Sequence, residues 1–263
     1  MKSFLAAGLL SAVLIPVQAM AASPFDGTWK ANLNSANMPK RPDIYMLKDG
    51  MYTCQTCAPG YTIKADGTDQ PVTGHPYFDT VAIKVVDDHS IQETDKKAGK
   101  TVTTSSVTVS KDGRTATFEF TDSSNTNAAP VTGKGEQKLV APGPAGSNAV
   151  SGSWITTGFT SFSDNGVTVT YKTDGDMLTM SAPTGQSYTA KMDGTEALYK
   201  GDPGITTVSV KKIGADTLLE IDKRGDRIVG TIRTTVDSTG TSAAVRYHDG
   251  LRDRSMTWTQ KKI

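Results

Sequence analysis

Residues 61–68, YTIKADGT, recur 127 positions later as YTAKMDGT at residues 188–195. The match continues without a gap for sixty positions, and about twenty of these pairs are identical. The identical pairs include Glu93 with Glu220 and Asp95 with Asp222. A self-similarity of this length indicates that the chain is a tandem duplication of one domain.

The repeat divides the chain into two units. We place the first repeat at residues 22–140 and the second at residues 150–263, with a linker at 141–149 that is rich in proline and glycine. Each repeat is about 120 residues long, which is enough for a core of its own.

The N-terminal residues 1–21 have the pattern of a signal peptide. Lys2 precedes a 14-residue apolar stretch at residues 4–17, and the sequence AMA at 19–21 has the small-x-small form of a cleavage site. No cysteine follows the predicted cut and no later apolar run could span a bilayer as a helix. We therefore expect a soluble protein, either periplasmic or secreted.

The charge of the mature chain excludes two classes of partner. Removing Lys2 leaves 27 basic and 27 acidic residues, and these charges are scattered along the sequence. A nucleic-acid-binding protein is expected to carry a basic face, and an anionic membrane attracts clusters of Lys and Arg. We therefore expect neither partner, and the sequence names no protein partner.

The composition and the turn signals predict an all-β fold. The chain contains 37 threonines, and short apolar runs alternate with polar residues, as in Val167, Val169 and Tyr171 after the turn pair Asn165-Gly166. Such runs predict eight or nine short strands per repeat. An antiparallel meander of that size leaves no unpaired edge strands if it closes into a barrel. We therefore predict two tandem antiparallel up-and-down barrels, with β-sandwiches as the alternative.

Each repeat opens with the same Gly-x-Trp motif, Gly27-Thr28-Trp29 and Gly152-Ser153-Trp154. The motif resembles the first strand of lipocalin-like (calycin) barrels. The resemblance implies that the tryptophan closes one end of a barrel and that an arginine near the last strand packs on it. Arg252 and Arg254 are the candidates for that arginine. The whole chain also resembles exported bacterial two-repeat proteins, which implies no activity.

Cys54 and Cys57 are the two cysteines of the chain. In an exported protein, a pair at this spacing is expected to form a disulfide. A redox centre is the alternative, but such centres lie at a helix N-terminus, and here the neighbouring residues predict a strand end and a turn. The second repeat has Ser181 and Thr184 instead, so the fold does not require the bridge.

Residues 73–79, TGHPYFD, are the most function-like part of the first repeat. The segment brings His75, Tyr77, Phe78 and Asp79 together in a loop, where ligand-binding residues are common. The second repeat keeps only the turn-forming glycine and proline. These four side chains are therefore predicted as a ligand rim, with a purely structural turn as the alternative.

No other pattern predicts catalysis or a metal site. The three histidines, His75, His89 and His248, are not kept between the repeats, so we expect surface or turn positions, and we expect no metal and no cofactor. Glu93 and Asp95 would share one strand face, and we interpret them as a solvated strand end.

These observations favour a binding protein over the other functional classes. A barrel of about eight strands has room for packed side chains or for one small ligand. We therefore expect an exported module that binds a small apolar or amphipathic molecule in a barrel or in the groove between barrels. A structural or interaction protein of the envelope with filled barrels is the alternative, and an enzyme ranks last.

Overall fold

The computed structural model describes residues 23–124 and 129–263, so the predicted signal peptide lies outside the described residues. Apart from one 3₁₀ turn at Asp164–Gly166, the regular structure of the described residues is β-strand. Within the same ranges, no helix has the length and apolar character needed to cross a bilayer.

The first half of the chain forms ten strands. They are β1 (Gly27–Asn37), β2 (Asp43–Lys48), β3 (Met51–Cys54), β4 (Tyr61–Lys64), β5 (Gln70–Pro71), β6 (Thr80–Asp87), β7 (Ser90–Lys97), β8 (Lys100–Val109), β9 (Thr115–Asp122) and β10 (Val131–Pro142).

The second half of the chain also forms ten strands. They are β11 (Gly152–Phe162), β12 (Thr168–Asp174), β13 (Met177–Ser181), β14 (Ser187–Lys191), β15 (Asp193–Leu198), β16 (Thr207–Lys212), β17 (Thr217–Arg224), β18 (Arg227–Val236), β19 (Ser242–Asp249) and β20 (Arg254–Lys262).

The two halves exchange their first strands. β1 lies between β12 and β20, and β11 lies between β2 and β10. Trp29 of β1 accordingly pairs with Val169 and Lys262, both of which belong to the second repeat. We call the sheet of β2–β11 the first barrel and the sheet of β1 with β12–β20 the second barrel. The repeats of the sequence therefore do not coincide with the two sheets.

Each sheet curves until its ends almost meet. In the second barrel, Ser187 near one end exchanges two backbone hydrogen bonds with Lys200 beyond the other end, at 3.0 and 2.9 Å. In the first barrel, the Gly67 amide donates to the Ile83 carbonyl at 2.8 Å. The prediction of an all-β protein with two antiparallel barrels is thus confirmed, with ten strands in each sheet instead of eight or nine.

Packed side chains occupy the interior of each barrel. Val81 and Ile83 of β6 belong to the first core, and the equivalent Val208 and Val210 of β16 belong to the second. All four are fully buried. Burying apolar side chains of this size stabilises a fold by about 1.5–3 kcal/mol each.

The Gly-x-Trp motif has a physical cause that is the same in both barrels. The indole Nε1 of Trp29 donates to the Phe25 carbonyl at 2.8 Å, and that of Trp154 donates to the Val150 carbonyl at 3.0 Å. The preceding glycines have φ of +123° at Gly27 and +139° at Gly152. Because L side chains rarely adopt such values, glycine is needed where the chain turns into the strand.

Residues 141–149, which we predicted to be a linker, form the end of β10 and most of the loop that joins it to β11 in the same sheet. The Asn148 amide donates to the Leu47 carbonyl at 2.9 Å, and the Ala149 amide donates to the Asp88 carbonyl at 2.9 Å. The segment is therefore held against the first barrel by backbone hydrogen bonds.

Candidate ligand-binding cavity between the barrels

A cavity of about 480 Å³ lies where the exchanged strands pass between the barrels. β1 is paired with β12 only as far as Lys30, while its pairing with β20 resumes at Asn37. The gap is bounded by the second half of β1, by β12 and β20, and by the far end of β11. The lining is mostly apolar and includes Ala31, Leu33, Ala36, Met38, Phe159, Phe162, Val167, Val169, Met256 and Trp258.

The repeats differ in the side chains that fill this region. In the first barrel, Phe118 and Phe120 pack edge to face on Phe159 and Phe162, with ring centroids 5.9 and 5.6 Å apart. The positions 127 residues later hold Val245 and Tyr247. The second barrel therefore lacks the four-ring cluster of the first, and the cavity opens on its side of the junction.

Ala116 and Ala243, small residues on β9 and β19, are not at the cavity. Ala116 belongs to the first core and Ala243 to the second. Both are buried among other side chains, so neither marks an empty barrel interior. The space for a ligand lies between the barrels.

Ion pairs border the apolar cavity at one end. Arg254 Nη1 lies 2.7 Å from Asp43 Oδ1, and Arg254 Nη2 donates to the Pro42 carbonyl at 2.8 Å. Arg41 forms a more exposed pair with Asp253 at 2.8 Å. A ligand with an apolar body and a polar end would meet matching surfaces here.

The two arginines of the Gly-x-Trp hypothesis lie at this junction. Arg252 pairs with Asp249 at 3.1 Å and donates to the Thr56 carbonyl, and Arg254 pairs with Asp43. The cation over Trp29 is instead Lys262, with Nζ 4.9 Å from the ring centroid. Lys262 occupies this place because the register of β1 on β20 sets it directly opposite Trp29.

A second cavity of about 350 Å³ lies deeper in the junction and is more polar. Three of the predicted rim residues, His75, Tyr77 and Phe78, line it. The His75 ring stacks on Phe78 with centroids 4.4 Å apart, and the Tyr77 hydroxyl donates to Asp202 Oδ1 at 2.8 Å across the junction. The fourth, Asp79, instead accepts hydrogen bonds from the Ala98 amide and the Thr80 hydroxyl.

A smaller cavity of about 300 Å³ has wall residues in common with both the apolar and the polar cavity. It shares Asp43, Arg254 and Met256 with the apolar cavity. It shares Tyr247, Asp249 and Arg252 with the polar cavity. The junction is therefore one cleft whose lining changes from apolar to polar.

Each barrel joins a tyrosine to a Glu-x-Asp carboxyl pair, and the aspartate of each pair lines the polar cavity. In the first barrel, the Tyr61 hydroxyl donates to Glu93 Oε1 at 3.1 Å, and in the second the Tyr188 hydroxyl donates to Glu220 Oε2 at 2.7 Å. The carboxyl groups of Asp95 and Asp222 are in hydrogen-bonding contact with these glutamates.

Burial changes the acidity of both carboxyl pairs. Desolvation, with the neighbouring Glu93 as the next cause, raises the pKa of Asp95 to about 8. Desolvation and Glu220 raise the pKa of Asp222 to about 9. Burial also raises the pKa of both glutamates. Each pair therefore holds at least one shared proton at neutral pH.

The interpretation of Glu93 and Asp95 as a solvated strand end is wrong. Asp95 is 8% exposed, its counterpart Asp222 is 4% exposed, and Glu93 is half-buried. Inward-facing Glu-x-Asp positions look the same in sequence as outward-facing ones. The available signal was the recurrence of Glu, Asp and the partner tyrosine in both repeats.

The prediction of a disulfide is confirmed, because Cys54 and Cys57 are bonded to each other. Cys54 is buried in the first core, and Cys57 packs against that core at the edge of the polar cavity. Between them, the Thr56 hydroxyl donates to Asp43 Oδ1 at 3.3 Å. The bridge therefore shapes the loop that faces Arg252 and Arg254.

The other histidines lie away from the polar cavity. His89 is in the turn between β6 and β7, where its amide donates to Asp87, and His248 contacts the Ser255 hydroxyl at 3.1 Å. Within residues 23–124 and 129–263, no group of three or more His, Cys, Asp or Glu is arranged to hold a metal ion.

Comparisons with known proteins give no family. No protein-family model matches the chain, and neither curated proteins nor solved structures give a significant match.

Proposed function

We propose that this chain is an exported soluble protein that binds a small apolar or amphipathic ligand in the cleft between its barrels. The observation that carries the proposal is the apolar cavity of about 480 Å³. This volume falls within the range of small-molecule sites, which are mostly apolar with a few polar groups at one side. The ion pair of Arg254 with Asp43 supplies such groups.

Two further features support export and the ligand class. The sequence of residues 1–21 has the signal-peptide pattern, and the bonded Cys54 and Cys57 suit an oxidising compartment. A mostly apolar cavity of this kind suits an apolar or amphipathic guest. The resemblance to lipocalin-like barrels agrees with ligand carriage, although the proposed site lies between the barrels.

Trp258 provides a direct reporter of binding. It is one of three tryptophans, and it lines the cavity, whereas Trp29 and Trp154 are buried in the two cores. Decanoic acid and decanol, added to the full mature chain, should shift the emission of Trp258. The Trp258→Phe variant should lose this response while it keeps the emission of the other two.

A matched pair of variants on β1 locates the site. Ala31→Phe adds a ring to the cavity wall and should weaken decanol binding by about tenfold or more, since the ring occupies the space of the guest. Asn34→Phe adds the same ring at an exposed position on the same strand and should leave binding unchanged. Equal binding by both variants, or no binding by the parent chain, would contradict the proposal.

The alternative is a structural or interaction protein with no ligand. The apolar side chains packed inside both barrels favour it. This alternative predicts that no alkyl probe changes the emission of Trp258. An enzyme ranks last, since a fold alone does not assign a reaction.

A further inference from the structure

The polar cavity contains buried oxygens that lack a donor. Among the described residues, no N–H or hydroxyl group donates to Asp95 Oδ1 or to Asp222 Oδ1, and the His75 Nε2 is likewise without a partner. Both aspartates are more than nine-tenths buried, and all three side chains line the same cavity. The proton that each aspartate shares with its glutamate satisfies one oxygen, so each aspartate keeps one oxygen without a donor, and a buried polar atom of this kind requires an explanation.

These groups come from both barrels and converge on one space. Asp95 is on β7 of the first barrel, and Asp222 is on β17 of the second. Asp95 and Asp222 are equivalent positions of the two repeats, so the two barrels place equivalent carboxyl units on the wall of the cavity. A small molecule between them could bond to both units at once.

The charges around the cavity disfavour an ion. Arg224 and Arg252 also line it, and burial together with these two arginines lowers the pKa of His75. Their guanidinium groups would repel a bound cation. The buried carboxyl pairs would repel an anion, since charges interact strongly away from water.

Aromatic rings form part of the remaining wall of the cavity, beside aliphatic residues such as Ile205, Val229 and Leu251. His75 and Phe78 present a stacked pair of rings, the Tyr61 ring meets His75 edge-on at 5.6 Å, and Tyr247 lines the opposite side. Carboxyl groups that share a proton can donate and accept hydrogen bonds, as hydroxyl groups do. Flat rings beside such groups match a compact ligand that carries C–H faces and several hydroxyl groups.

We propose that the cavity between the two carboxyl pairs is a second binding site, which takes a neutral polyhydroxylated small molecule such as a monosaccharide. Its hydroxyl groups would bond to the carboxyl groups of Asp95 and Asp222 and to the imidazole of His75, and its apolar face would lie on the His75 and Phe78 rings. The proposal does not depend on a ligand in the apolar cavity.

Saturation-transfer NMR on the full mature chain tests this site. The probes are methyl glucoside, methyl galactoside, methyl mannoside and glycerol, with putrescine and citrate as cationic and anionic comparisons, all at millimolar concentration. We expect transfer to at least one neutral probe and none to putrescine or citrate. Saturation transfer to a glycoside but not to glycerol would identify the ligand class as a sugar. Transfer to glycerol but not to a glycoside would identify it as a smaller polyol.

Variants connect the signal to the carboxyl groups. Asp95→Leu and Asp222→Leu each remove both oxygens and keep a buried side chain of similar size, and each should weaken binding by about tenfold or more. Asp176→Asn, a change at an exposed carboxylate, should have no effect. His75→Gln, which leaves the carboxyl pairs intact, provides a second test if a leucine variant does not fold.

Three outcomes would overturn the proposal. One is the absence of transfer to every neutral probe. Another is a signal that Asp95→Leu, Asp222→Leu and His75→Gln all leave unchanged. The third is binding of putrescine or citrate alone, which would assign the cavity to an ion.

Discussion

Replacing the two buried aspartates with asparagine should remove most of the loss of stability that we expect at alkaline pH. In the parent chain, the pKa of Asp95 is about 8 and that of Asp222 about 9, against an ordinary value of 3.8. An asparagine at either position has nearly the same shape. Its amide can donate to Glu93 or Glu220 in place of the shared proton.

The direction in which stability changes with pH follows from proton binding. Between pH 4 and pH 8–9 the folded chain holds protons on these carboxyl groups that the unfolded chain has lost, so stability falls as the pH rises through this window. From pH 5 to pH 9, the largest possible loss of unfolding free energy is about 4 kcal/mol from Asp95 and about 5 kcal/mol from Asp222. Since an ionised carboxyl draws in water, we expect about 2 kcal/mol for each.

Urea unfolding followed by tryptophan emission at pH 5, 7 and 9 measures this effect. The parent chain should lose about 4 kcal/mol of unfolding free energy between pH 5 and pH 9. The Asp95→Asn/Asp222→Asn double variant should lose less than half as much. Asp176→Asn, which changes an exposed carboxylate, should behave like the parent.

The reasoning would be refuted by either of two results. A parent chain that is equally stable or more stable at pH 9 would mean that the carboxyl groups are solvated. A double variant with the same pH dependence as the parent would mean that other groups cause it.

Three other predictions concern the fold. Residues 163–263 produced alone lack both β1 and β11, the two strands that could lie between β12 and β20, so they should give no stable monomer by circular dichroism and light scattering, and a folded monomer would contradict the place of β1 in the second barrel. Replacing Cys54 and Cys57 by serine should cost at most about 2 kcal/mol in urea unfolding, because the closed loop is short, and a larger loss would indicate a further role. Trp29→Phe should cost about 2–3 kcal/mol, through lost volume and the lost bond to the Phe25 carbonyl; an unchanged midpoint would show that the indole is not part of the core.

The all-β fold was predictable because its signals are local. The alternation of apolar and polar residues shows which face of a strand points inward. Tight turns require glycine, as at Gly113 and Gly240 with φ near +70°. The internal repeat predicted that the fold contains two barrels. The disulfide followed from the spacing of Cys54 and Cys57 and from the signal-peptide pattern.

The strand exchange was not predictable from the same signals. β1 and β11 carry the same Gly-x-Trp motif, so each satisfies the pairing pattern of either barrel. What decides the partner is the path of residues 38–42 and 163–167, which carry the chain from one barrel to the other. Neither segment has a pattern that indicates a crossing.

The sequence predicted part of the lining of the candidate site. The cluster of His75, Tyr77 and Phe78 does line a cavity, but its other wall comes from Asp222 and Tyr247, more than a hundred residues away. The apolar cavity depends on the exchange, since β1 and β11 form walls that belong to different barrels. Contacts of this kind are invisible until the pairing of strands is known.

Native mass spectrometry tests the central claim most directly, which is that the apolar cavity between the barrels holds a ligand. The mature protein would be purified from its natural source without detergent and compared with the Ala31→Phe variant prepared in the same way. We predict a discrete added mass that disappears on denaturation and is missing from Ala31→Phe. A bare chain mass for the parent, unchanged by fatty acids, phospholipids or quinones, would contradict the claim.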